Sequence, residues 1–265
     1  IRDREKVGKA MAGGAALNQE DEAAWERVQR RVRTLCEATA AAGGRVMIDA
    51  EESWIQEAID ALAEDMMSDY NRERVVVYNT VQMYRHDRLA YLAAMAARAE
   101  EGGYLCGVKV VRGAYMEKER ARAAQQGYPS PIQPDKTASD RDFDAAVKWV
   151  LERIAQIHLV AGSHNEESNL KLCQWMGEMG LEPGDARVSF AQLLGMSDPI
   201  TFNLAARGYN VAKYVPYGPI REAIPYLIRR AQENTSVAGQ TSRELTLLRE
   251  EQQRRKQMNS RQRGL

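Results

Sequence analysis

Apolar positions along the chain follow two alternating periods. Over residues 20–42 the spacing is helical, with Trp25, Val28, Val32 and Leu35 on one face, and Gly43-Gly44 closes the segment. The short apolar run Val46-Met47-Ile48 follows and ends in Asp49. A second helix is predicted over 52–68, then the run Val75-Val76-Val77-Tyr78-Asn79. Helix 84–101 stops at Gly102-Gly103 and leads to the strand Val108-Lys109-Val110-Val111-Arg112, which closes on Gly113. Residues 127–139 carry Pro129, Pro131 and Pro134 and read as a loop. Three further helix-to-strand units follow. Helix 140–156 leads to His158-Leu159-Val160-Ala161, helix 166–180 to Arg187-Val188-Ser189-Phe190, and helix 197–207 to Val211-Ala212-Lys213-Tyr214-Val215. A last core helix covers 221–234. From about residue 242 the chain is charged and helix-prone, Arg243 to Lys256, and reads as a solvated surface helix.

Six short apolar strands alternating with helices imply parallel βαβ units. Six strands suit a doubly wound sheet; a closed barrel needs eight. Lys+Arg and Asp+Glu both number 37, and this neutral balance argues against a nucleic-acid partner, which would need a basic surplus. Three widely spaced cysteines, Cys36, Cys106 and Cys173, fit a reducing compartment rather than a disulfide framework or a metal site. No apolar run approaches the roughly 20 residues of a membrane helix. No targeting segment is visible, although Ile1 is not a natural start and one is expected upstream if it exists.

Strands of a parallel sheet should be almost continuously apolar. Several here are polar at or near their C-terminal ends: Asp49, Asn79, Lys109, Arg112, Ser163-His164-Asn165 and Tyr214. Open sheets and barrels both place their chemistry at those ends. Lys109 has opposite parity to Val108 and Val110, so it points into a barrel if those valines face helices. The bland alternative is an edge-strand lysine that snorkels to water. Asp49 reads equally as a helix N-cap or a site carboxylate, and His164 as a site or a structural loop residue. Tyr226, Arg229, Arg230 and Glu233 share a broad helix face, either an exposed charged surface or an anion clamp. Periodicity alone stops at a barrel-like α/β enzyme with an anionic ligand.

The motifs carry the reading further. The segments Ile48-Asp49-Ala50-Glu51-Glu52, Val108 to Tyr115, Ser163-His164-Asn165-Glu166-Glu167 and Phe190 to Met196 resemble the proline dehydrogenase family. So do Tyr214-Val215-Pro216-Tyr217-Gly218-Pro219 and Pro225 to Asn234. The resemblance runs in order from about residue 45 to 240 and is nearer to the stand-alone eukaryotic-type branch, since Lys109 stands where the bifunctional bacterial proteins carry arginine.

The resemblance implies a (β/α)₈ TIM-like barrel over residues 1–240, with its first two strands missing from this chain, and a charged helical tail over 241–265. Lys6 and Lys9 lie in a Gly/Ala-rich segment rather than in the family's lysine-bearing strand. The implied activity is FAD-dependent oxidation of L-proline to Δ1-pyrroline-5-carboxylate, by hydride transfer from C5 to flavin N5, with electrons passed to quinone. Carried over by motif, Arg229 and Arg230 clamp the carboxylate, and Tyr115, Leu193, Tyr214 and Tyr226 wall the ring. Asp49 sits at the site and Lys109 beside the reactive flavin nitrogen. Asn79, Val111, Gly113, Ala114, Tyr115, Lys136, Ser163, His164, Asn165 and Glu233 hold FAD. Tyr214 would crowd a 4-hydroxyl, where hydroxyproline enzymes carry serine, which favours proline as substrate. The implied location is mitochondrial in a eukaryote, and cytoplasmic or peripheral to the membrane in a bacterium. Three rival readings stand beside this one: a hydroxyproline dehydrogenase, a Schiff-base lyase using Lys109 or Lys213, and a non-catalytic barrel remnant. No proton acceptor for the substrate amine is identifiable.

Overall fold

The computed structural model describes residues 4–11, 13–14, 16–221, 223–226, 228, 245–246 and 248–256. Among them the order is α1 (Arg4–Met11), α2 (Gln19–Ala41), β1 (Val46–Ile48), α3 (Ser53–Tyr70), β2 (Val77–Gln82), α4 (Arg88–Gly102) and β3 (Cys106–Val111). Then come α5 (Met116–Gln126), α6 (Lys136–Leu151), β4 (Ile157–Gly162), α7 (Glu166–Glu178), β5 (Val188–Leu193), α8 (Asp198–Ala206) and β6 (Val211–Tyr214). The six strands are all parallel, in sequence order, and curl into part of a (β/α)₈ barrel wall.

Parity divides the sheet into two faces. Val77, Val81, Val108, Val110, Leu159 and Phe190 are buried outward, against Leu62 and Met66 of α3, Leu92 and Met95 of α4, and Phe143 and Val147 of α6. The concave face holds a smaller apolar floor of Val75, Tyr78 and Val160 with Met47, Leu105 and Ala191. Burial on the outer face supplies most of the driving force for the fold, at about 25 cal/mol per Å² of apolar surface.

Three polar devices fix the joints. Asn71, fully buried, accepts from the amides of Val76 and Val77 and donates to the carbonyls of Val77 and Leu105, setting the entry of β2. Glu119 of α5, also fully buried, accepts from the amide and hydroxyl of Ser53 and so caps α3 from a neighbouring helix. Behind β2, Asp60 accepts from Gln56, Asn79 and Arg88, all at 2.8–2.9 Å.

Two helices depart from the periodicity reading. α1 and α5 were not legible as elements: α1 is short, and α5 (MEKERARAAQQ) is so polar that only Glu119 and Ala123 are buried. The predicted loop 127–139 ends earlier, because the Asp135 side chain caps α6 by accepting from the Ala138 amide at 2.8 Å. The charged tail is helical over 248–256, but it is not purely a solvated surface: Leu248 and Glu251 border the cleft described below.

Candidate active site

A cleft of about 2200 Å³ opens on the concave face at the C-terminal ends of the strands. β1 hands over to Asp49 and Glu51, β3 supplies Lys109 and Val111, β5 supplies Leu193 and β6 supplies Tyr214. Asp49 and Lys109 form an ion pair. The N-cap reading of Asp49 falls away, since α3 is entered through Glu52. Lys109 points into the barrel as its parity requires, because Val108 and Val110 are wholly buried on the other face.

Gly113 and Ala114 line the turn after β3. Gly113 has φ 140°, and a Cβ there would meet the Tyr84 ring at 2.4 Å, so only glycine fits. Tyr115 donates its hydroxyl to the Glu51 carboxylate. Arg112 is the best-connected group in the cleft. Its Nε pairs with Asp140 at 2.5 Å, its other nitrogens donate to the Ser163 and Ser168 hydroxyls at 2.9 Å, and its guanidinium stacks 4.3 Å from the Phe143 ring. Lys136 reaches the same Asp140 carboxylate at 2.5 Å. Burial alone would raise the pKa of Asp140, but hydrogen bonds from Lys136 and Arg112 hold it below its ordinary value. The result is a cationic rim at one end of the cleft.

Next to Ser163, His164 Nδ1 lies 3.0 Å from the Ser197 hydroxyl. Ser197, at φ 53°, is the one non-glycine residue with positive φ among the described residues, and it lines the cleft. Asn165 caps α7 by accepting from the Ser168 amide, which aims the start of that helix into the cleft. Tyr214 is 45% exposed and tilts against Tyr226, ring centroids 5.4 Å apart, so it stands in the mouth and not in the core. Lys213 is occupied: it donates to the carbonyls of Leu193 and Met196 and pairs with Asp198 at 2.8 Å.

One expected site residue is misplaced. Asn79 does not line the cleft; it is fully buried behind the sheet, donating to Asp60 and to the Tyr91 hydroxyl. The reason is parity: Asn79 shares the face of Val77 and Val81, which are buried against the helices. β2 continues to Gln82, so its cleft-facing polar positions are Thr80 and Gln82. Those two residues are the site groups that sequence reasoning passed over; Arg112 was singled out as a polar strand end but given no role of its own. Continuing β2 at alternating parity would have exposed Thr80 and Gln82. Arg229, Arg230 and Glu233 lie outside the described residues.

Residues 3–243 match the family profile described as Proline dehydrogenase. The chain is 41% identical over 235 residues to "Proline dehydrogenase 1, mitochondrial" of Homo sapiens, covering 88% of this chain and 39% of that protein. It is 40% identical over 230 residues to "Hydroxyproline dehydrogenase" of Xenopus laevis, covering 85% and 49%. Among solved structures, proline utilization A (PutA) from Bdellovibrio bacteriovorus inactivated by N-propargylglycine superposes with a TM-score of 0.75 at 24% identity, covering 82% of this chain and 22% of that one. At that identity the likeness speaks for the fold alone. The chain spans 39% and 49% of the lengths of those two curated relatives.

Proposed function

Because the chain belongs to the proline dehydrogenase family, we propose that it is the catalytic part of an enzyme that oxidises L-proline to Δ1-pyrroline-5-carboxylate. FAD is the proposed cofactor and a quinone the next electron acceptor. The observation that carries the reading is the convergence of Asp49, Lys109, Tyr115, Leu193 and Tyr214 from the ends of β1, β3, β5 and β6 into one cleft.

The cleft suits a flavin dinucleotide. It exceeds the roughly 300–1,000 Å³ of an ordinary small-ligand pocket. It has a cationic rim at Arg112 and Lys136, a close backbone approach at Gly113, and a buried cleft-facing hydroxyl on Thr80 with no partner on the protein. FAD held there would supply the acceptor for the hydride that proline gives up. The chain's own residues do the positioning. We assign the rim, with Val111, Gly113, Ala114, Ser163, His164, Asn165 and Glu233, to the cofactor. Tyr115, Leu193, Tyr214 and Tyr226 pack the ring, Arg229 and Arg230 hold the carboxylate, Asp49 belongs to the substrate side and Lys109 to the flavin side. The barrel unit is taken to end near residue 240, with 241–265 as a tail.

The human relative's name supports a mitochondrial location. No helix among the described residues is long and apolar enough to cross a membrane, and membrane association, where it occurs, is proposed to be peripheral. Overall identity does not separate proline from hydroxyproline as substrate, because relatives of both names match at 40–41%. The bulk of Tyr214 at the mouth favours proline. A Schiff-base lyase is disfavoured, since Lys109 is engaged by Asp49 and Lys213 by three acceptors.

The test is FAD titration of the chain, alone and in a longer version carrying two further barrel strands. Quenched flavin fluorescence, and bleaching on anaerobic addition of L-proline, are expected of the longer version. A folded, colourless protein that takes up no FAD, yet is trapped covalently by borohydride with a carbonyl substrate, would overturn the assignment.

A further inference from the structure

The register of β1, β2 and β3 places one residue directly beneath the ion pair of the cleft. Ile48 pairs with Asn79, so Asp49 stands level with Thr80, and Thr80 in turn pairs with Lys109. Neighbouring strands are about 4.8 Å apart, so the Asp49 and Lys109 backbones are separated by two strand spacings, roughly 10 Å. Their side chains close that gap by meeting over β2. Met47, Asp49, Thr80 and Lys109 all line the cleft, so Thr80 faces the pair and not the helices.

Thr80 is 4% exposed, and its hydroxyl has no hydrogen-bond partner on the protein. A buried hydroxyl left unsatisfied is destabilising, and valine, of the same shape and the same strand preference, would avoid the penalty. The ion pair above it is self-satisfied while closed. The pair spans β2, so a ligand seated on that strand between β1 and β3 must part Asp49 from Lys109. Lys109, only 15% exposed, is then left unpaired where an isolated charge is costly, whereas Asp49, 56% exposed, stays solvated. The one protein hydroxyl lying between them in register is that of Thr80.

We propose that Thr80 is a positioning residue. When the Asp49–Lys109 pair opens, its hydroxyl donates to the Asp49 carboxylate and accepts from the Lys109 ammonium. It thereby keeps both groups anchored to β2 once their direct contact is broken. The inference rests on the flavin and proline reading only for the identity of that ligand. The bridging itself is a property of the three residues.

A double-mutant cycle in the ligand-free chain tests it without any cofactor. Thr80→Val is measured by thermal unfolding in the wild type and in Asp49→Asn, where the pair is already broken. In the wild type Thr80→Val is expected to leave Tm unchanged or to raise it, because it removes an unsatisfied hydroxyl. In the Asp49→Asn background the same change is expected to lower Tm by about 2–4 °C, since Lys109 then depends on Thr80. Thr80→Ser, which keeps the hydroxyl, restores the loss. Additive effects in the two backgrounds, or an equal Tm loss in the wild type, would show that Thr80 only packs the strand and overturn the inference. Flavin titration of the same proteins runs alongside. If the wild type takes up no flavin, the cofactor reading fails while the cycle still decides the role of Thr80. If it does bind, Thr80→Val should weaken binding about tenfold and Thr80→Ser should not.

Discussion

His158 makes the fold sensitive to mild acid. It lies on the concave side of β4, opposite in parity to Leu159, level with Gly107 on one side and beside Arg187 on the other. Burial pushes its pKa down from near 6.5 to about 4, and the cationic Arg45 and Arg187 reinforce the shift against Asp185. The folded-state value is depressed for a base, so between about pH 6.5 and about pH 4 the unfolded chain binds the proton that the folded chain refuses. Stability therefore falls as pH falls through that window and levels off below it. With those two values the loss between about pH 7 and about pH 5 is at most about 2 kcal/mol, and solvent screening of the half-buried ring brings it to about 1 kcal/mol, before most carboxylates begin to titrate. Urea unfolding at the two pH values measures it directly. His158→Gln, similar in size and uncharged at both, should flatten the difference by that amount. If wild type and variant lose stability equally between the two pH values, His158 is not the acid-sensitive group and the reasoning fails.

Arg88→Met should cost about 3–5 kcal/mol in urea unfolding, because it strands the buried Asp60 carboxylate without its cation; a loss under about 1 kcal/mol would mean the site is hydrated. Gly113→Ala should cost about 2 kcal/mol or more and weaken flavin binding, since the new Cβ meets the Tyr84 ring at 2.4 Å from a φ of 140°; an unaltered melting curve would contradict that. Tyr214→Ser should raise the kcat/KM ratio of trans-4-hydroxy-L-proline to proline about tenfold, and an unchanged ratio would remove Tyr214 as selector. Arg229→Met and Arg230→Met should each raise the KM for proline by about ten- to a hundred-fold with the fold intact; unchanged kinetics in both would make the pair a solvated helix face.

The chain by itself determined the number and parallel sense of the strands, while their order, open between a doubly wound sheet and a barrel on periodicity alone, followed from the family motifs. Short apolar runs alternating with helical periods admit few other solutions, and all six predicted strands are present in sequence order. The facing of Lys109 was also legible, because parity is a local property of a strand and two valines flank it. Strand length was not. Whether β2 stops at Asn79 or runs on to Gln82 depends on pairing with β3, where Thr80 meets Lys109 and Gln82 meets Val111. The extension brings Thr80 and Gln82 into the cleft, while Asn79, on the face of Val77 and Val81, meets Asp60 and Tyr91. Nor can periodicity show that Asp49 would find Lys109 rather than cap a helix, since the partner lies 60 residues away and is brought near by the curl of the sheet. Local spacing sets which way a side chain points from its own backbone. Only the packing of one strand against the next sets what it meets there.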